Sequence, residues 1–241
     1  MTEWAGVIDS LYKHILFDLD GTLTDPAEGI LHSLNHTMRH FGKEEFTAES
    51  CRVLIGPPIL ESFQLVCGFN SKEAAEALRI YRQHHLQVGL FENKVYPGIA
   101  GMLEKLRARG CRLYVATLKL ASMADAVLQH LGLRSYFTAV VGAREGGGIP
   151  AKTDIIAEVL AGIPAAERVQ ALMVGDRKYD IIGARENWIA SVAVLYGYGS
   201  EEELLAEKPD HLVRTVAELE ALLAGLSQGQ EERTGRMLKN V

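Results

Sequence analysis

The sequence predicts an α/β fold, a parallel sheet flanked by helices and interrupted once by an all-helical insert, and three observations predict it. Short runs rich in β-branched or other apolar residues recur and read as buried parallel strands. Stretches of helical period separate them, as right-handed crossovers require. One interval, from about Asp25 to Asn93, contains no convincing strand. The seven prolines, at positions 26, 57, 58, 97, 150, 164 and 209, all fall between periodic segments and so act as punctuation.

Taken in order, HILFDLD (14–20) is the first strand. The insert follows as amphipathic helices: GILHSLNHTMRHFG (29–42), ILESFQLVCGF (59–69) and SKEAAEALRIYRQHHLQVGL (71–90). Its edges, Asp25-Pro26 and NKVYPG (93–98), are turn-like. Helix and strand then alternate: IAGMLEKLRARG (99–110), CRLYVAT (111–117), MADAVLQHLGL (123–133), TAVVG (138–142), TDIIAEVLAG (153–162), QALMVGD (170–176), IIGARENW (181–188) and ASVAVLY (190–196). The triglycine at 146–148 lacks the pattern of a P-loop and reads as a flexible loop. The expected division is a discontinuous core of residues 1–24 and 94–225, a helical domain of 25–93, and a polar, flexible tail of 226–241.

With 241 residues the chain can bury roughly 70% of its extended surface, enough for one large or two modest domains. A net charge of −6, without a long basic run, argues against nucleic acid or an anionic membrane as partner. No stretch approaches a membrane span, and the N-terminal residues carry charges where a signal peptide has its apolar core, so the expected location is cytoplasmic. Cys51, Cys67 and Cys111 are widely spaced and read as reduced thiols.

The chemistry concentrates at strand ends. ILFDLDGTLTD (15–25) ends an apolar strand in Asp18 and Asp20, whose spacing puts both carboxylates on one face, and Gly21 permits a sharp turn whose N–H groups can approach an anion. LMVGDRKYDIIGA (172–184) sets Asp176 just past a second strand and Asp180 at the start of a helix. Two acidic strand ends suit a hard divalent cation, best Mg²⁺, which takes few protein oxygens, keeps waters and binds together with substrate phosphate. Between them, Thr117 ends a strand and Lys152 precedes a helix, a hydroxyl and an ammonium of the kind a phosphoryl group needs. Singly, each has a plain structural reading, an N-cap threonine or a solvated lysine. His32, His36 and His40 form an i, i+4, i+8 stripe that reads as a partly buried face of the first insert helix.

In this order, Asp18-Leu19-Asp20-Gly21-Thr22, Thr117, Lys152 and Gly175-Asp176 through Asp180 resemble the haloacid dehalogenase superfamily, and within it the phosphoglycolate phosphatase and 5′-nucleotidase-like branch. FDLDGTLTDP, IGPP (55–58), ENKVYPGI (92–99), GDRKYDIIGA (175–184) and VLYGYGS (194–200) extend the likeness over about residues 12–223. The resemblance implies a Rossmann-like core with residues 25–93 as a helical cap. It implies that Asp18 is the nucleophile that forms an aspartyl-phosphate, and that Asp20 is the acid that protonates the leaving oxygen and the base that then activates water. It further implies Mg²⁺ held by Asp18, the backbone carbonyl of Asp20 and Asp176, with Asp180 in or beside that set, and phosphoryl contacts from Thr117, the Leu118 N–H and Lys152. Cap specificity would lie in Arg52, Gly56, Pro57 and Pro58, with Arg52 near the substrate's anionic end.

A dianionic phosphate beside Asp18 and Asp176 brings about four negative charges together, of which Mg²⁺ and Lys152 offset about three. Asp20 would have to hold its proton near neutral pH, which a neighbouring carboxylate favours. An acid at Asp20 also argues against a dehalogenase. Where related members read Thr-Ser-Lys-Pro, this chain has Thr117-Leu118-Lys119-Leu120, which removes a hydroxyl and a proline from the loop. The expected activity is Mg²⁺-dependent hydrolysis of a small, phosphoglycolate-like phosphomonoester by a monomer or homodimer. A 5′-nucleotidase is the alternative among enzymes, and a non-catalytic phosphometabolite-binding protein the alternative outside them.

Overall fold

The computed structural model describes residues 12–146 and 151–228. Six strands form one parallel sheet in the order β5-β4-β1-β6-β7-β8: β1 (His14–Phe17), β4 (Arg112–Leu120), β5 (Phe137–Ala143), β6 (Ala171–Gly175), β7 (Ala190–Val194) and β8 (His211–Val213). Successive strand residues point to opposite faces, and both faces are packed. Ile15 and Phe17 join one apolar cluster with Leu113, Val115, Leu172 and Val174. Leu16 joins the other with Tyr114, Ala116 and Met173. Helices α5 (Ile99–Ala108), α6 (Ala121–His130) and α10 (Val216–Gln228) cover the first face, with Met102, Leu103, Val127 and Leu219 buried. Helices α7 (Lys152–Ala161) and α8 (Lys178–Glu186) cover the second through Ile155, Ile156, Val159 and Ala184.

β1 pairs with β4 on one side and β6 on the other, so the strand order reverses around it. A crevice therefore opens beyond the carboxyl end of β1, where open α/β sheets bind ligands.

The insert leaves and re-enters through a two-stranded antiparallel ribbon, β2 (Thr24–Asp25) against β3 (Lys94–Val95). Between them lie α1 (Ala27–His40), α2 (Ala48–Cys51), α3 (Ile59–Leu65) and α4 (Ser71–Gln87). These helices have their own apolar cluster, built on Leu34, Phe63 and Tyr81 among others. α4 starts at a capping box in which Asn70 accepts from the N–H groups of Lys72 and Glu73, and Glu73 accepts from the Asn70 N–H. Gly29 and Gly89 let α1 approach the segment after α4 so closely that a Cβ at either would collide with the other's backbone.

Three sequence expectations change. β4 does not end at Thr117 but runs to Leu120, because Leu120 pairs again with Ala143 after a register shift. β8 was not legible, being a three-residue edge strand with a polar flank. The His32, His36 and His40 stripe is exposed, since α1 buries Ile30, Ser33, Leu34, Thr37 and Met38 instead. His32 pairs with Glu92 and His36 stacks on His84. No disulfide links the cysteines. α10 continues to Gln228, while the rest of the expected tail, residues 1–11 and the Gly147-Gly148 part of the triglycine lie outside the described residues. Among the described residues no helix is long and apolar enough to cross a membrane.

Candidate active site

The crevice brings together groups that are far apart in the chain. Asp18 follows β1 directly and extends its pairing, its N–H donating to the Val174 carbonyl at 2.9 Å. Asp176 follows β6, and Asp180 lies in the first turn of α8 with its Oδ2 accepting the Arg177 N–H at 3.1 Å. Oxygens of Asp18, Asp176 and Asp180 all lie within 4.8 Å of one another, and all three residues are buried. Lys152, at the start of α7, inserts its ammonium below them, 3.0 Å from Asp18 Oδ1 and 2.7 Å from Asp180 Oδ1. Its third proton goes to the Ala116 carbonyl at 2.9 Å.

The electrostatics follow from burial and crowding. Burial pushes the Asp176 carboxyl well above the usual carboxylate range, and the charges of Asp18 and Asp180 push it further. Burial likewise raises Asp180 to about 6, outweighing the pull of Lys152. For Lys152 burial works against the charged form, but Asp18 and Asp180 overcome it and hold the ammonium above its ordinary value. Among the described residues this is the only cluster of three or more acidic, histidine or cysteine ligands close enough to share an ion. The donors are all carboxylate oxygens, and a net negative charge remains after Lys152 is counted, so the set fits a hard divalent cation such as Mg²⁺.

Asp176 is further held by the Thr22 hydroxyl at 3.1 Å and the Tyr198 N–H at 2.8 Å. Gly21 has φ +88°, and a Cβ there would strike the Asp176 carboxylate, so the turn after Asp20 demands glycine twice over. The expected open N–H groups of this turn are, however, spent within it: Gly21 donates to the Thr24 carbonyl and Thr22 to that of Leu19.

A cavity of about 430 Å³ opens above Asp18 and Asp20, between the sheet and the helical insert. Thr117 and Leu118 line it, as do Gly56, Pro57 and Pro58 from the loop before α3. Arg52 does not. Its guanidinium sits 5.0 Å from the centre of the Tyr198 ring and donates to the Gly197 carbonyl at 3.3 Å, so it ties the insert to the core. Arg177, next to Asp176, makes a second tie by donating to the Ile55 carbonyl and pairing with Glu203 at 2.9 Å.

Among the cavity residues that the sequence reading missed are Lys119, Tyr81, Arg82 and His85. Lys119 pairs with Asp20, Nζ to Oδ2 at 2.6 Å, so the neighbour of Asp20 is a cation and not the carboxylate expected. Tyr81, Arg82 and His85 come from α4, which presents Leu78, Tyr81, Arg82 and His85 to the cavity. Their i, i+3, i+4, i+7 spacing was visible, but nothing in the sequence says which face of a helix meets a cavity and which meets a core.

Residues 15–194 match the family described as haloacid dehalogenase-like hydrolase, three quarters of the chain and every residue of the acidic cluster. The chain belongs to that family. This haloacid dehalogenase-like hydrolase is 40% identical over 212 residues to a 5′-nucleotidase of Pseudomonas aeruginosa, covering 88% of this chain and 96% of that one. It is 38% identical over 186 residues to the tyrosine-protein kinase PtkA of Mycobacterium tuberculosis, covering 77% of this chain and 62% of that protein. Its structure resembles that of a predicted phosphatase from Clostridium acetobutylicum, with a TM-score of 0.83 at 39% identity, covering 89% of this chain and 99% of the other.

Proposed function

We propose that this hydrolase is a Mg²⁺-dependent phosphomonoesterase that works through an aspartyl-phosphate on Asp18. The observation that carries the reading is the trio Asp18, Asp176 and Asp180, braced by Lys152, of which Asp18 lines a cavity together with Asp20. Asp18 Oδ1 already accepts the Leu19 N–H at 2.8 Å and faces Lys152, which leaves Oδ2 to attack phosphorus. Attack forms the Oδ2–P bond and breaks the ester P–O bond, and Asp20 gives its proton to the leaving oxygen. Asp20 then takes a proton from the water that hydrolyses the aspartyl-phosphate. Oδ1 of Asp20, buried and without a partner among the described residues, is the atom available for that proton, since Oδ2 is held by Lys119. Bound by Asp18, Asp176 and Asp180, Mg²⁺ would supply the positive charge that draws in the phosphoryl group and stabilises its transfer. Thr117, at the cavity floor, and the Leu118 N–H would contact the phosphoryl oxygens.

The residues between β2 and β3 act in this reading as a cap that selects the organic group. The cavity's volume and its largely apolar wall, with Ile30, Leu54, Ile59 and Met123, suit a nucleoside 5′-monophosphate better than the two carbons of phosphoglycolate. One observation favours a phosphoglycolate-like substrate instead: Arg82 lines the cavity and has no anionic partner among the described residues, as a carboxylate-binding cation should. Phosphate release from a generic aryl phosphate, with and without Mg²⁺, tests the activity. Wild type is expected to depend on Mg²⁺ and Asp18→Asn to release none; equal release by both would overturn the mechanism. Comparing nucleoside monophosphates with phosphoglycolate then separates the two substrates.

A further inference from the structure

His85 is the most deeply buried histidine of the insert, 2% exposed, and it lines the cavity over Asp18 and Asp20. Its ring is fixed on two sides. It stacks on Tyr81, one turn back on α4, with ring centres 5.3 Å apart and planes 10° from parallel. Its Nδ1 lies 3.2 Å from Ser33 Oγ, in the tight space that Gly29 and Gly89 create.

The bonds of Ser33 decide the tautomer. Its single hydroxyl proton is donated to the Gly29 carbonyl at 2.7 Å, so towards His85, and towards His84 Nδ1 at 3.2 Å, the oxygen can only accept with its two lone pairs. Nδ1 of His85 therefore carries the proton and Nε2 carries a lone pair. Burial keeps the ring neutral by lowering its pKa to about 3, with the charge of Lys119 acting in the same direction. Nε2 is thus a hydrogen-bond acceptor, buried and without a partner among the described residues. A buried acceptor left unmet is costly, and such atoms are rare unless a ligand meets them.

We propose that His85 is a specificity-determining residue whose Nε2 accepts a hydrogen bond from an N–H or O–H group on the organic part of the substrate. The inference rests on the phosphatase reading and deepens it. It selects phosphomonoesters that carry a donor there, such as the amino group of a nucleobase or a hydroxyl of a sugar. It gives nothing to phosphoglycolate, whose organic part has no donor at neutral pH. Nε2 is buried in this conformation, so a donor reaches it only if the cavity wall beside His85 shifts when the ester binds.

The test compares kcat/KM on matched substrates: amino-bearing and amino-lacking nucleoside 5′-monophosphates, ribose and 2′-deoxyribose forms, phosphoglycolate, and an aryl phosphate without a donor. In wild type, deleting the donor that His85 reads is expected to lower kcat/KM about tenfold or more, mainly through KM. His85→Phe should abolish that preference, bringing each donor-bearing ester down to the kcat/KM of its donor-lacking match. His85→Gln, which keeps an acceptor, should restore most of it. The inference is overturned if no donor deletion changes the wild-type value by more than about threefold, a result that needs no variant to fold. It is also overturned if His85→Phe slows every ester equally, since that is a structural role. Absence of hydrolysis of every ester would overturn the phosphatase reading itself, and this inference with it.

Discussion

The acidic cluster of the core and the cavity side of α4 treat their polar groups in opposite ways. In the core, Lys152 divides its protons among Asp18, Asp180 and the Ala116 carbonyl, and Asp176 is held by Thr22 and Tyr198. In the cap, the cavity side of α4 carries an Arg82 and a His85 Nε2 that have no partner among the described residues. Under the proposed function, the difference separates a half built for a fixed reaction from one built for a variable ligand. A phosphoryl group is always the same, so the core can commit its charges in advance. The organic group differs between substrates, and polar capacity left open on one helix face can be reassigned without disturbing the chemistry.

The largest effect is expected where the core is most committed. Lys152→Met removes the cation between two buried carboxylates and leaves their charges uncompensated, which should cost about 3–5 kcal/mol of stability. Thermal unfolding without metal measures it, and Mg²⁺ should recover part of the loss. A cost near that of an exposed lysine would mean that the carboxylates are not held as charges at all. Next, Mg²⁺ at about a hundred times its dissociation constant should stabilise the wild type by about 2.7 kcal/mol. Asp176→Asn should abolish most of that gain, and substitutions at Arg82 or His85 in the cap should leave it intact.

The cap should respond to acid where the core does not follow. Unfolded, His85 titrates near 6.5; folded, near 3, because burial disfavours its charged form. As pH falls, the unfolded chain takes the proton first, so the stability that the neutral ring contributes is complete above pH 6.5 and is lost steadily down to about 3. By pH 5 the loss is about 2 kcal/mol. His84, whose pKa is also lowered, chiefly by burial, adds in the same direction. Hydrogen exchange of the α1 and α4 amides against pH reads this out, and His85→Phe should flatten the profile. An unchanged slope in that variant would show that another group carries the acid sensitivity.

The same division explains what could be read from the amino-acid sequence. Asp18, Asp20, Asp176 and Asp180 were legible because apolar strands announce their own ends, and a carboxylate just past such an end can only be solvated or functional. Lys152 was legible by its place in that series, although its three short contacts were not. The cap resisted for a physical reason. Amphipathicity shows that α4 has a buried side, but Leu78, Tyr81 and His85 satisfy a core-facing pattern as well as a cavity-facing one. The histidines at 32, 36 and 40 drew attention through regular spacing, while His85, in an irregular pair with His84, is the one that the fold buries. Lys119 was obscured because it lies in β4 beyond the point where apolar character stops marking the strand.

The smallest effect separates the two cap arginines, one singled out by sequence and one by structure. Arg52 is exposed, rests against the Tyr198 ring and donates to the Gly197 carbonyl, away from the cavity. Arg52→Ala should therefore cost only about 0.5–1 kcal/mol, the usual worth of an exposed cation over an aromatic ring. Because Tyr198 also donates its N–H to Asp176, the loss should appear as a slightly weaker response of the melting temperature to Mg²⁺. KM should move by less than about threefold, since no contact with the organic group is removed. Arg82→Gln should show the reverse, leaving the Mg²⁺ response intact and raising KM for any ester with a carboxylate on its organic part. If Arg52→Ala raises KM more than Arg82→Gln does, Arg52 must swing from Tyr198 into the cavity when substrate binds, and the tie between cap and core is then a switch.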